Sequence, residues 1–145
     1  MATVKRFEEL VAWQTARHLV NEIYALTGDG AFARDFGLRD QIQRAAVSVM
    51  SNIAEGFESR TQRLFIEHLG RARASCGEVR SQLYVALDLG YIDPPQFDAL
   101  YECTDKTSRL IYRLMTYLTS LDDTPRVRED ILLYDPSGRL SQETA

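Results

Sequence analysis

The stretch from Gln41 to Gly56, QIQRAAVSVMSNIAEG, decides how the rest of the chain is read. Within and just beyond it, Ile42, Ala45, Ala46, Val49, Ile53 and Phe57 recur at spacings of three and four, so they share one face of a 3.6-residue helix. That face has to be buried. The intervening Ser48, Ser51, Asn52 and Ala54 are small, which lets other helices approach closely on more than one side. The stretch therefore reads as the innermost helix of a bundle.

Working outward, the first helix is expected over about residues 7–27. Glu8 and Glu9 sit in its first turn, where carboxylates suit the positive end of the helix dipole, and Gly28 and Gly30 stop it. Leu10, Trp13, Ala16, Val20, Ile23 and Tyr24 form a wide apolar stripe. A loop over 28–35 leads to the second helix, 36–57. A capping box of Ser59 and Gln62 then opens the third, 61–90, on which Phe65, Leu69, Ala72, Cys76, Val79, Leu83 and Ala86 alternate spacings of four and three up to Gly90. Asp93, Pro94 and Gln96 supply an N-cap, an N1 proline and a capping glutamine for the fourth helix, 94–121, with Phe97, Tyr101, Thr104, Ile111, Leu114 and Leu118 facing inward.

Short connections between helices of this length make neighbours antiparallel. The predicted fold is all-α, an up-down-up-down antiparallel four-helix bundle over residues 1–121. The tail, 122–145, is expected to be irregular: Thr124-Pro125 and Asp135-Pro136-Ser137-Gly138 break any helix, and Ile131 to Tyr134 is a short apolar patch that could dock elsewhere.

The 145 residues, 45% hydrophobic, suffice for one domain with its own core. Seventeen basic and 21 acidic side chains give a net charge of -4, and the tail, with three arginines and six acids, carries -3 of it. The bundle itself is close to neutral, so no whole-domain field draws it to nucleic acid or an anionic membrane. Fifteen of the 17 basic residues are arginine, which favours planar contacts to carboxylate or phosphate. No signal-peptide pattern or long apolar run occurs, so a soluble, cytoplasmic protein without a membrane partner is expected. Cys76 and Cys103, with no CxxC spacing, read as reduced core thiols.

Catalytic and metal motifs do not emerge. The two histidines, His18 and His68, lack the Glu-x-x-His pattern of di-iron bundles, and His18 with Glu22, one turn apart, reads as a surface hydrogen-bonded pair in preference to half a metal site. Walker A, GxSxG, GxGxxG and HExxH are all missing, so no catalytic residue, metal or cofactor is expected. Ser48 and Asn52 lie one turn apart and read as polar groups that set helix register. Glu55, near the wrong end of its helix for a carboxylate, calls for an arginine partner among Arg44, Arg60 and Arg63, and Gly56 reads as a C-cap glycine. Arg60, Arg63, Arg71, Arg73 and Arg80 form the candidate contact for nucleic acid or another partner, although Glu67 lies four residues from both Arg63 and Arg71 and can neutralise part of it.

These residues resemble a known family, the four-helix-bundle proteins encoded in intervening sequences of bacterial 23S ribosomal RNA genes. The resemblance rests on Phe7, Leu10, Trp13 and Ala16; on Phe36-Gly37-Leu38, Gln41-Ile42, Arg44-Ala45-Ala46, Ser48 and Asn52 to Gly56; and on Phe65, Leu69, Ser75, Glu78, Gln82-Leu83 and Leu89-Gly90-Tyr91. It implies a ring of five subunits and no enzymatic activity. A similar accessory protein of diversity-generating retroelements forms such a pentamer and works with nucleic acid and a reverse transcriptase. Gln43 stands here where the family tends to carry a second basic residue, which counts against nucleic-acid binding. The expectation is a homo-oligomeric scaffold, with Tyr84, Leu87 and Tyr91 contributing to the subunit interface, and a nucleic-acid accessory factor as the alternative.

Overall fold

The computed structural model describes residues 4–121; the sequence expectations for 122–145 lie outside them. The elements are a 3-10 turn at Phe7–Glu9, then α1 (Val11–Leu26), α2 (Gly30–Arg34), α3 (Phe36–Glu58), α4 (Gln62–Asp88) and α5 (Pro94–Thr119). The four long helices pack as a square in the cyclic order α1, α3, α4, α5. Each outer side of the square is a groove between two neighbouring helices.

The predicted inner face of α3 is the buried one: Ile42, Ala46, Val49 and Ile53 are fully enclosed, with Ala45 and Phe57 nearly so. Its partners on α4, Phe65, Leu69, Ala72, Cys76, Val79, Leu83 and Ala86, are all buried as well. The core has two halves. One gathers Leu10, Ile53, Phe57, Phe65, Ile111 and Leu118, the other Leu19, Ile23, Ile42, Leu83, Ile92 and Leu100. Enclosing a side chain of this size stabilises the fold by about 1.5–3 kcal/mol.

Four local features differ from the sequence expectation. The first helix is broken at Leu10, whose backbone is extended (φ -72°, ψ 125°). The loop before α3 contains a short helix, because Phe32 is drawn into the core. Ser59 does not open α4. It closes α3, donating its hydroxyl to Gly56 O at 2.5 Å, while Thr61 caps α4 by accepting from Leu64 N at 3.1 Å. Gln62 is buried and its amide donates across to the carbonyls of Leu118 and Leu121, which ties the start of α4 to the end of α5. The capping box at Asp93 and Gln96 forms as expected, with bonds of 2.8 and 2.9 Å. Gly90, at φ 73°, ends α4: Tyr91 N bonds Ala86 O and Gly90 N bonds Leu87 O, the paired bonds of a left-handed C-terminal cap.

Candidate functional site

The polar residues of the central stretch converge on the α3–α4 side of the square. Asn52 donates its amide to Ser48 O at 2.9 Å and to Ser48 Oγ at 3.0 Å. Ser75 Oγ, from α4, donates to Ser48 Oγ at 2.9 Å. Asn52 Oδ1 faces His68 Nδ1 at 3.2 Å, and since an amide oxygen only accepts, the Nδ1–H tautomer completes that bond. Glu55 Oε2 lies 3.6 Å from the same ring nitrogen. Among the described residues Glu55 therefore faces His68, and no arginine lies within ion-pair distance of it. Histidine was missed as the partner because the pairing depends on how two helices register, which spacing along one helix does not reveal.

Gly56 also has a different role from the C-cap the sequence suggested. It lies inside α3, and a Cβ built on it would come 2.8 Å from Phe65 Cδ1 and 2.9 Å from His68 Cβ. The residue lets α3 and α4 close on each other and so brings His68 within reach of Asn52.

Above this seam two open clefts continue along the same side. One, of about 280 Å³, is lined by Arg44, Ser48, Ser75, Glu78 and Gln82. The next, of about 530 Å³, is lined by Gly37, Leu38, Gln41, Gln82 and Val85. Neither Arg44 nor Glu78 has an oppositely charged group within ion-pair distance among the described residues. Gln82 Oε1 is buried and has no hydrogen-bond partner among them.

The five candidate arginines are not one cluster. Arg73 Nε donates to Ser108 Oγ at 3.3 Å and its guanidinium lies 4.7 Å above the Tyr112 ring, and Arg80 pairs with Asp105 at 3.1 Å; both lie on the α4–α5 side. Arg63 pairs with Glu67 at 3.7 Å. Arg60 and Arg71 are exposed and in no ion pair among the described residues. Of the candidate interface residues, Tyr84 is half exposed and stacks near Phe97 and Tyr101, whereas Leu87 and Tyr91 pack against the bundle core. The Tyr91 hydroxyl donates to Asp35 Oδ2 at 2.9 Å, and that bond, with burial and the Asp35 charge behind it, holds the phenol above its ordinary range.

Cys76 is enclosed; burial pushes its thiol from 9.0 up to about 12, against the smaller opposing pull of Arg80 and Arg73. Cys103 is also raised, first by burial and then by Glu22. Both thiols are therefore protonated near neutral pH, the opposite of what a thiolate nucleophile requires. Among the described residues no group of three or more His, Cys, Asp and Glu side chains could hold a metal ion, and no helix is long and apolar enough to cross a membrane.

A crystal structure of a protein of unknown function from the S23 ribosomal protein family of Bacteroides thetaiotaomicron VPI-5482 is similar in fold, with a TM-score of 0.62 and 21% identity over 72% of this chain and 94% of the other. No curated protein matches in sequence. Residues 8–113 match the family model of the 23S rRNA-intervening sequence protein, a span that takes in all of α1 to α4 and most of α5. The chain belongs to the 23S rRNA-intervening sequence protein family.

Proposed function

We propose that the protein is a non-enzymatic scaffold that assembles with copies of itself into a ring, with five subunits as the expected number. The observation that carries this reading is a surplus of apolar surface after one bundle core is complete. Tyr24, Phe36, Leu64, Tyr84, Val85, Leu89 and Tyr112 are all 41% or more exposed, and Phe36, Val85 and Leu89 lie toward the end of the bundle where Tyr91 bonds Asp35, with Tyr84 on the adjacent α4–α5 side. Apolar side chains concentrated in one region are characteristic of an interaction surface, whereas scattered ones are ordinary. The polar seam supports the same reading, since Ser48, Asn52 and Ser75 are engaged with one another in holding α3 to α4. Light scattering on the eluting protein at micromolar concentration tests the proposal. A mass of several chains is expected, and a single-chain mass ends it.

A second reading, a nucleic-acid accessory factor, is favoured by Arg60 and Arg71, which are exposed and free of ion pairs among the described residues. It predicts RNA or DNA binding that weakens by orders of magnitude between about 50 and 200 mM salt. Fluorescence anisotropy showing no binding at the lower salt would remove it.

A further inference from the structure

The smaller α3–α4 cleft gathers side chains that leave bonding capacity unused, and they come from both of its walls. Arg44 stands on the α3 wall. The carboxylate one turn before it on that helix, Asp40, pairs with Arg39 at 3.0 Å, and Arg44 itself is in no ion pair among the described residues. Glu78 stands on the α4 wall, where the positions one turn away are Ala74, Ser75, Ser81 and Gln82, none of them a cation. Arg44 and Glu78 line the same cleft and still do not pair, so a gap wider than an ion pair separates their charged ends. Gln82, one turn beyond Glu78, adds its buried Oε1, which has no partner among the described residues.

Between the walls, Ser48 and Ser75 supply a donor. Their two hydroxyls share one bond of 2.9 Å, and the Asn52 amide donates to Ser48 Oγ. Whichever hydroxyl donates to the other, one O–H is left without an acceptor among the described residues.

The unused groups divide by kind. The Arg44 guanidinium and the serine O–H are donors and suit an anion, whereas the Glu78 carboxylate and Gln82 Oε1 are acceptors one turn apart and suit an ammonium. An inorganic anion would leave the acceptors unanswered, and a simple amine would leave Arg44 unanswered. A molecule carrying both a carboxylate and an ammonium meets all four. The cleft, of about 280 Å³, is below the usual range of ligand pockets, about 300–1,000 Å³, so a single small molecule fills it. It runs into the neighbouring cleft, with which it shares Gln41, Glu78 and Gln82, and there the lining turns to Gly37, Leu38 and Val85. The remainder of the ligand is therefore apolar.

We propose that this cleft binds a free amino acid with an aliphatic side chain. Its carboxylate lies on Arg44 and the serine pair, its ammonium between Glu78 and Gln82, and its side chain over Leu38 and Val85. Binding here goes beyond the oligomer reading and does not depend on the number of chains in the particle.

Isothermal titration calorimetry of the full chain with L-leucine tests the site, with N-acetyl-L-leucine, which lacks the ammonium, and L-leucinamide, which lacks the carboxylate, as companion probes. L-leucine is expected to bind saturably with a Kd of about 1 mM or below, and each companion about tenfold more weakly or not at all. Arg44→Gln and Glu78→Gln, both at exposed side chains, should keep the helical circular dichroism and weaken L-leucine by a similar factor. No saturable binding of L-leucine up to about 10 mM overturns the site. Companions that bind as tightly as L-leucine overturn the zwitterion assignment, and undiminished binding in both variants moves the ligand away from this cleft and overturns it as well. Should a variant fail to fold, the two companion probes still decide.

Discussion

Gly56 and Gly77 show how one residue type serves two purposes on neighbouring helices. At Gly56 a methyl group would meet Phe65 and His68 at under 3.0 Å, whereas at Gly77 it would meet nothing within 4 Å. Gly56→Ala should lower stability by about 1–2 kcal/mol, because overpacking of about 1–3 kcal/mol outweighs the helix-propensity gain of up to about 1 kcal/mol. Gly77→Ala should raise stability by about 0.5–1 kcal/mol from propensity alone. Urea denaturation of both variants measures the pair, and a stabilised Gly56→Ala would remove the close-approach role. Asn52→Ala should cost about 1–3 kcal/mol, since it leaves His68 Nδ1 and the Ser48 hydroxyl with lost partners on a part-buried seam. Burial of Cys76 supplies a pH dependence. Its folded-state pKa is raised from 9.0 to about 12, so the folded chain holds the proton more tightly than the unfolded one. That contribution is complete below pH 9 and is lost as pH rises toward 12, at no more than about 1.4 kcal/mol per pH unit. Tyr91 acts in the same direction at alkaline pH. The alkaline slope of the unfolding free energy should flatten in Cys76→Ala, and an unchanged slope would contradict the assignment. At this scale the sequence singles out Ser48, Asn52 and Glu55 but not their partners: Glu55 meets His68 because two helices register, which no spacing within α3 encodes.

The helices were legible where their signals are local. Asp93, Pro94 and Gln96 are contiguous and their hydrogen bonds close within one turn, so the start of α5 falls where the sequence puts it. Asp93→Ala should therefore cost about 0.5–2 kcal/mol, read as a shift of the urea midpoint with unchanged slope. The start of α4 shows the converse. Ser59 and Gln62 have the spacing of a capping box, but the Gln62 amide bonds the end of α5, 56 residues away in sequence. With Gln62 committed there, Thr61 becomes the cap. The short α2 was missed for a similar reason. Glycines flank it, and its single turn is held in place by long-range contacts, the burial of Phe32 against the core and the Arg39 guanidinium donating to Ala33 O at 3.0 Å.

At the scale of the whole molecule, the periodicities of three and four placed the core almost residue by residue, because burial of an apolar stripe is what a helix pair needs to be stable at all. The outer sides were harder to read. A sequence marks Tyr84, Leu87 and Tyr91 alike as apolar, and only the packed bundle separates Tyr84, left half exposed, from Leu87 and Tyr91, which the core takes up. The same holds for the arginines, which look like one cluster in the sequence and are distributed over different sides in space. Surplus apolar surface beside unpaired charge is the basis for the central claim, that copies of this chain assemble into a closed ring. Native mass spectrometry, which counts chains in each particle, tests that claim most directly: the account predicts a single species of five chains across the micromolar range, and particles of one chain, or a ladder of sizes without a closed end point, would contradict it.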